Sequence, residues 1–254
     1  MMLPSFQAWE SSGSESGPCA VVMAPMMAEW DDGAFCAPLT LLLLARGYRV
    51  SIYDTMSVAD ECSSLPQAAA RWAEILTARH PHIDLAVGQA YGGALIQYLL
   101  ADALVACPRV LGISAPTYCD DVLRANLCEV LDELLCAGPE AALQMLECKV
   151  LPYSRLDRPM RPQSAPPMTV SRLYSGLTHL GYADARAQVT DYPGNVLWLY
   201  GEESRLIRGD NIIPAPYNAL QRSVGLPHCG MRPLNDAKDT SLALIENFLD
   251  ETKS

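Results

Sequence analysis

The chain has 254 residues, and 18 Lys and Arg against 29 Asp and Glu give a formal charge of -11. That length suits one large α/β domain or a core with an insertion, and the charge argues against nucleic acid or anionic membrane as partner, leaving a neutral or cationic small molecule. Nine cysteines, an odd number without C-x-x-C spacing, read as reduced, packed thiols of a cytoplasmic protein rather than a disulfide or zinc framework. No metal is expected, and nothing in the chain calls for a cofactor. The N-terminus lacks a basic region followed by an apolar one, and no run has the length of a membrane span, so no membrane partner is expected.

Cys19 to Ala24 (CAVVMA) is a short apolar run beside prolines, the mark of a buried strand. Phe35 to Gly47 reads as a helix stopped by Gly47, and Tyr48 to Tyr53 as a strand. Leu65 to His80 carries Ala69, Trp72, Ala73 and Leu76 near helical spacing. Ile83 to Val87 is a strand, Gly92 to Leu104 a helix, and Pro108 to Ile113 a further strand. Strands and helices alternating at such short intervals require a mostly parallel central sheet flanked by helices on both faces. The alternation stops near Pro116. Asp120 to Cys136 has Leu123, Leu127, Val130, Leu131 and Leu134 in helical register, and a second helix follows Gly138-Pro139. Leu151 to Met168 is proline-rich and too broken for regular structure. Alternation resumes with a strand at Asn195 to Tyr200, a turn at Gly201, a helix near Ala215 to Gln221, a strand at Arg222 to Gly225 and a last helix from Asp236 to Glu251.

Between the strand at 83–87 and the helix that follows lies Val87 to Gly93, VGQAYGG. It has the form of the G-x-S-x-G nucleophile elbow, with Ala90 where the attacking serine would stand. A strand-to-helix turn this sharp strains its middle residue and needs small neighbours, which Gly88, Gly92 and Gly93 supply. Four segments in this order resemble the α/β-hydrolase fold: FQAWESSGSESGPCAVVMA, LTLLLLARGYRVSIYD, IDLAVGQAYGGALIQYLLA, and NVLWLYGEESRLI with HCGMRPLNDAKDTSLALIENFL. The resemblance implies a core over 1–117 and 188–254, with a mainly helical cap inserted at 118–187 over the carboxyl edge of the sheet.

The resemblance also places three catalytic positions, and each holds an inert residue. The nucleophile falls on Ala90, the acid, in the turn Gly201-Glu202-Glu203-Ser204, on Ser204, and the histidine on Met231. An engineered Ser-to-Ala change would account for the first alone, and serine catalysis needs all three together. The backbone N–H groups of Met26 and Tyr91, which the resemblance assigns to an oxyanion hole, survive because they need no side chain. The implied cavity is walled by Met26, Met27, Trp30, Ala90, Tyr91, Tyr118 and Met231. Polar candidates beside it are Asp31, Asp32, Glu203, His228 and Cys229. His228 and Asp31 are the two that could move a proton, against plainer roles as loop and helix caps.

Three functions fit this pattern. A non-hydrolytic enzyme could isomerise, epimerise, cyclise or cleave by elimination a bulky small-molecule, peptide or polyketide biosynthetic intermediate. A non-catalytic protein could bind such a ligand under the cap. An esterase or thioesterase could keep its catalytic residues elsewhere. The partner is in each case a small molecule or peptide, and a homo-oligomer is compatible with all three.

Overall fold

The alternating pattern becomes, in the computed structural model of the chain, a seven-stranded sheet; residues 6–11, 16–156 and 164–251 are described. The strands are β1 (Ala8–Glu10), β2 (Cys19–Met23), β3 (Arg49–Tyr53), β4 (Leu85–Gln89), β5 (Arg109–Ile113), β6 (Asn195–Gly201) and β7 (Gln221–Leu226). Their order across the sheet is β1-β3-β2-β4-β5-β6-β7, with β1 antiparallel to β3 and every other pair parallel. The longer helices are α1 (Ala37–Ala45), α2 (Leu65–Arg79), α3 (Tyr91–Leu99), α4 (Asp121–Cys136), α5 (Pro139–Val150), α6 (Thr169–Gly181), α7 (Arg186–Asp191), α8 (Pro233–Asp236) and α9 (Lys238–Asp250).

Strands β2 and β4 are buried at every residue, as central parallel strands covered on both sides must be. One face carries Val21, Met23, Ala86, Val110 and Trp198, packed with Trp72 of α2 and Leu95 of α3. The other carries Ala20, Val22, Leu85, Val87 and Leu197, packed with Leu39 of α1 and Phe248 of α9. Gly112 stands opposite Trp198 in the β5–β6 register, and a Cβ there would lie 2.0 Å from the indole, so the glycine makes the space the tryptophan fills. Gly47, at φ 79°, follows the end of α1 and turns the chain into β3, as its position predicts.

Two expectations differ. The stretch expected as a helix over Ala215–Gln221 forms turns up to Leu220, and Gln221 opens β7: Pro214 and Pro216 remove N–H donors, and the Asn218 side chain instead accepts from Leu220 N at 3.0 Å and donates to Tyr192 O at 3.1 Å. The stretch Leu151–Met168 was expected to be irregular; 153–155 form one 3₁₀ turn, and 157–163 lie outside the described residues, as do 12–15 of the first resembling segment. Helix α6, just beyond that stretch, was not anticipated. It packs against α4, α3 and the 3₁₀ segment Thr55–Glu61 that follows β3. All nine cysteines are free. No helix among the described residues is long and apolar enough to cross a membrane.

Candidate functional site

The turn from β4 into α3 is forced by close packing. A Cβ on Gly88 would stand 2.5 Å from Gly93 Cα, one on Gly92 2.2 Å from Met23 O, and one on Gly93 2.3 Å from Ala115 Cβ. Backbone thus meets backbone where no side chain fits. Ala90 bears the conformational cost, with φ 47° and ψ -112°, a region that L-residues occupy only when their surroundings dictate it, at about 1–3 kcal/mol. Tyr91 begins α3, so its N–H has no intrahelical acceptor. That N–H and the N–H of Met26, in the loop after β2, have no hydrogen-bond partner among the described residues.

The facing loop is fixed from above. Arg172 of α6 donates through Nε to Met27 O at 2.7 Å and through Nη1 to Asp54 Oδ2 at 3.0 Å, and Nη2 pairs with Asp54 Oδ1. Both side chains of this pair are buried. Tyr91 is tied to the same helix: its hydroxyl lies 2.8 Å from His179 Nδ1, and His179 Nε2 lies 2.9 Å from Cys62 O. A carbonyl only accepts, so Nε2 carries the proton and the Tyr91 hydroxyl donates to Nδ1. Burial lowers the His179 pKa and raises that of Tyr91, so both are neutral.

The loops after β6 and β7 lie against each other and against α5. A Cβ on Gly201 would strike Gly230 O at 2.0 Å, and one on Gly230 would strike Val150 O at 2.4 Å. Met231 N donates to Val150 O at 2.8 Å. The Asp236 carboxylate accepts from Gly230 N at 3.0 Å and from Arg155 Nη1 at 2.8 Å. Burial first, and then Asp236 nearby, push the Cys229 thiol up to about 12, which leaves it protonated and unreactive.

Between these parts lies a cavity of about 260 Å³. Its floor is Ala90, its sides Met26, Met27, Tyr91 and Met231, and its roof Leu143, Leu146 and Val150 of α5 with Leu173, Leu177 and Leu180 of α6. Among the described lining residues only Glu147 and Arg232 are charged, and they pair with each other at 2.8 and 2.6 Å in the two-pronged geometry of guanidinium and carboxylate.

No protein-family model matches the sequence, and no curated protein is detectably similar to it. Solved structures are. An α/β-hydrolase enzyme from a Medee basin deep-sea metagenome library superposes with a TM-score of 0.78 at 12% identity, over 98% of this chain and 95% of that one. The bromoperoxidase from Bacillus anthracis gives 0.73 at 12% identity, over 97% and 95%. The enol-lactonase from Burkholderia xenovorans gives 0.73 at 14% identity, over 97% and 96%. The chain has the α/β-hydrolase fold. At such identities the likeness extends to the fold alone, and the different chemistries in those names show how little the fold fixes.

The residues that the sequence resemblance sets at the catalytic positions are placed as follows. Ala90 is at the elbow and Met231 lines the cavity beside Arg232. Ser204 is buried after β6, and its Oγ has no hydrogen-bond partner. Of the expected walls, Met26, Met27, Ala90, Tyr91 and Met231 line the cavity, and Trp30 and Tyr118 do not. Trp30 packs with the α1 side of the core, and the Arg186 guanidinium lies 4.8 Å from the Tyr118 ring centre. His228 has 88% of its side chain exposed and bonds Glu203 Oε1 at 3.1 Å; the other Glu203 oxygen accepts from Tyr153 N at 3.0 Å. Asp31 is exposed and accepts from Phe35 N at 2.8 Å, a bond within the turn ahead of the 3₁₀ segment Ala34–Cys36, whose N-cap is Gly33. Neither lines the cavity, and both side chains bond within the loops around them. Sequence reasoning missed Gln89, Glu147, Arg232 and Asn235. One signal was present: Leu143, Leu146, Glu147 and Val150 share a helical stripe, and a carboxylate within an apolar stripe needs a partner.

Proposed function

We propose that the protein binds a largely apolar small molecule beneath helices α5 and α6, with those helices acting as a cap, and that it does not carry out serine hydrolysis. The observation that supports this most is the elbow: Ala90 has a strained backbone under an apolar cavity, with no serine, threonine, cysteine or histidine among the described lining residues. The strain persists although the methyl group has no use for it. What the conformation still accomplishes is to present the Tyr91 N–H to the cavity opposite that of Met26, a pair of donors suited to a ligand carbonyl. An isomerisation, cyclisation or elimination would need a proton-transfer group as well. Glu147 is the carboxylate that lines the cavity, and both its oxygens are bonded to Arg232.

Native mass spectrometry of the purified protein is expected to reveal a bound apolar small molecule, and p-nitrophenyl esters are expected not to turn over. Ala90→Ser is expected to remain inactive on those esters, since a serine there gains neither base nor acid. Robust esterase activity in Ala90→Ser, or in the parent protein with loss in His228→Ala, would overturn the non-hydrolytic reading. Deuterium uptake from solvent into a recovered ligand would instead identify proton-transfer chemistry at the same site.

A further inference from the structure

Given that reading of a small-molecule site, we infer that the cavity selects an uncharged molecule whose polar end is a carboxamide or lactam, with Gln89 as the residue that determines this preference. The two lining charges cancel each other. Glu147 uses both oxygens on Arg232. An ionic ligand would enter a largely apolar cavity with no counter-charge of its own, or would strip one partner from the pair and leave the other unmatched, and both are unfavourable. An uncharged ligand leaves the pair undisturbed.

The polar end is specified at the elbow. Gln89, only 4% exposed, lines the cavity. Its Nε2 donates to Cys36 Sγ at 3.3 Å, and its Oε1 has no partner among the described residues. The Gln89 side chain as a whole is buried, and this carbonyl oxygen is an acceptor open to an N–H or O–H from a ligand. Two residues on, the Tyr91 N–H is a donor without an acceptor among the described residues, and Met26 supplies a second. An acceptor and donors on residues that line one cavity match a group that carries a carbonyl next to an N–H. An ester satisfies the donors and leaves Gln89 unpaired, a carboxylate repels the Gln89 oxygen, and an ammonium leaves both amides unmatched. The leucines of α5 and α6 then take the apolar body.

Four probes of one chain length separate these cases: decanamide, methyl decanoate, decanoate and decylammonium, titrated by calorimetry at neutral pH into the full-length protein and Gln89→Leu. Decanamide is expected to bind about tenfold tighter than methyl decanoate, the cost of one buried acceptor left unpaired, with both ions weaker still. Gln89→Leu is expected to bring the amide down to the affinity of the ester. Should Gln89→Leu fail to fold, Gln89→Met, closer in shape, makes the same comparison. Equal binding of amide and ester by the parent protein, or an amide preference that persists in the variant, overturns the role of Gln89. Decanoate or decylammonium binding as tightly as the amide overturns selection for an uncharged ligand and leaves the small-molecule site standing. Binding of none of the four overturns both.

Discussion

Two of the ion pairs that join the helices between β5 and β6 to the rest of the molecule are built differently. In the first, Arg172 of α6 meets Asp54 with side chains 6% and 0% exposed, and its Nε is also bonded, to Met27 O. In the second, Arg232 meets Glu147 of α5 with 33% and 20% exposed, at the wall of the cavity. The first pair is enclosed by protein and holds a loop in place. The second keeps solvent and cavity within reach. The same pairing of guanidinium and carboxylate thus holds a loop where it is enclosed and, in the proposed reading, serves ligand selection where it is open.

The largest expected effect follows from the enclosed pair. Asp54→Asn removes the charge and leaves the Arg172 cation buried without compensation, so stability falls by about 3–5 kcal/mol, read as a lower midpoint in urea. The double change Asp54→Leu with Arg172→Met, which removes both charges, is expected to recover much of that loss. A loss below about 1 kcal/mol in Asp54→Asn would mean that the enclosed pair behaves like the open one, and the contrast would disappear.

A smaller effect tests the same helix through pH. His179 lies about two turns beyond Arg172 on α6, and burial lowers its pKa. A histidine held below its ordinary 6.5 binds its proton more readily when the chain is unfolded. Its contribution to stability is thus complete above about pH 6.5 and is lost as pH falls toward the depressed folded value. Each such group steepens the curve by at most about 1.4 kcal/mol per pH unit. His80, also lowered by burial, adds in the same sense. Denaturation midpoints measured from pH 7.5 down to 5 should decline, and His179→Gln should flatten the decline without abolishing it. An unchanged slope in that variant would place the acid sensitivity outside the contact between α6 and the elbow.

The sheet was legible because its residues answer to one demand at a time. CAVVM and LAVGQ are apolar because both their faces are covered, and the three elbow glycines are small because backbone presses on each. The cavity was legible only where the chain turns sharply: Met26, Ala90, Tyr91 and Met231 follow from offsets along the resembling motifs. Its roof was not, since which faces of α5 and α6 look down is set by how both helices pack on α4, and α6 reaches α4 from more than thirty residues along the chain. The polar groups misled for a related reason. His228 and Asp31 drew attention as isolated ionisable side chains in loops, but loops near a site also need caps and hydrogen bonds of their own. Glu147 and Arg232, far apart in the chain, become meaningful only as a pair.

The smallest expected effect on stability comes from the open pair, and it separates the two pairs most cleanly. Glu147→Gln removes a charge from a contact that water already reaches, and such contacts are worth about 0–1 kcal/mol. The denaturation midpoint should therefore scarcely move. The balance of charge in the cavity should move considerably, because Arg232 would then face the ligand as an uncompensated cation, whose free N–H fork suits a carboxylate. Decanoate affinity should rise by about tenfold, equivalent to about 1.4 kcal/mol, at the expense of selection for uncharged ligands. Asp54→Asn, enclosed and outside the set of residues that line the cavity, should leave the ranking of ligands as it was. A variant pair in which stability and ligand choice changed together would show that the two ion pairs are parts of one device. Separate changes would show that α6 is fastened by one residue pair while α5 recognises by another.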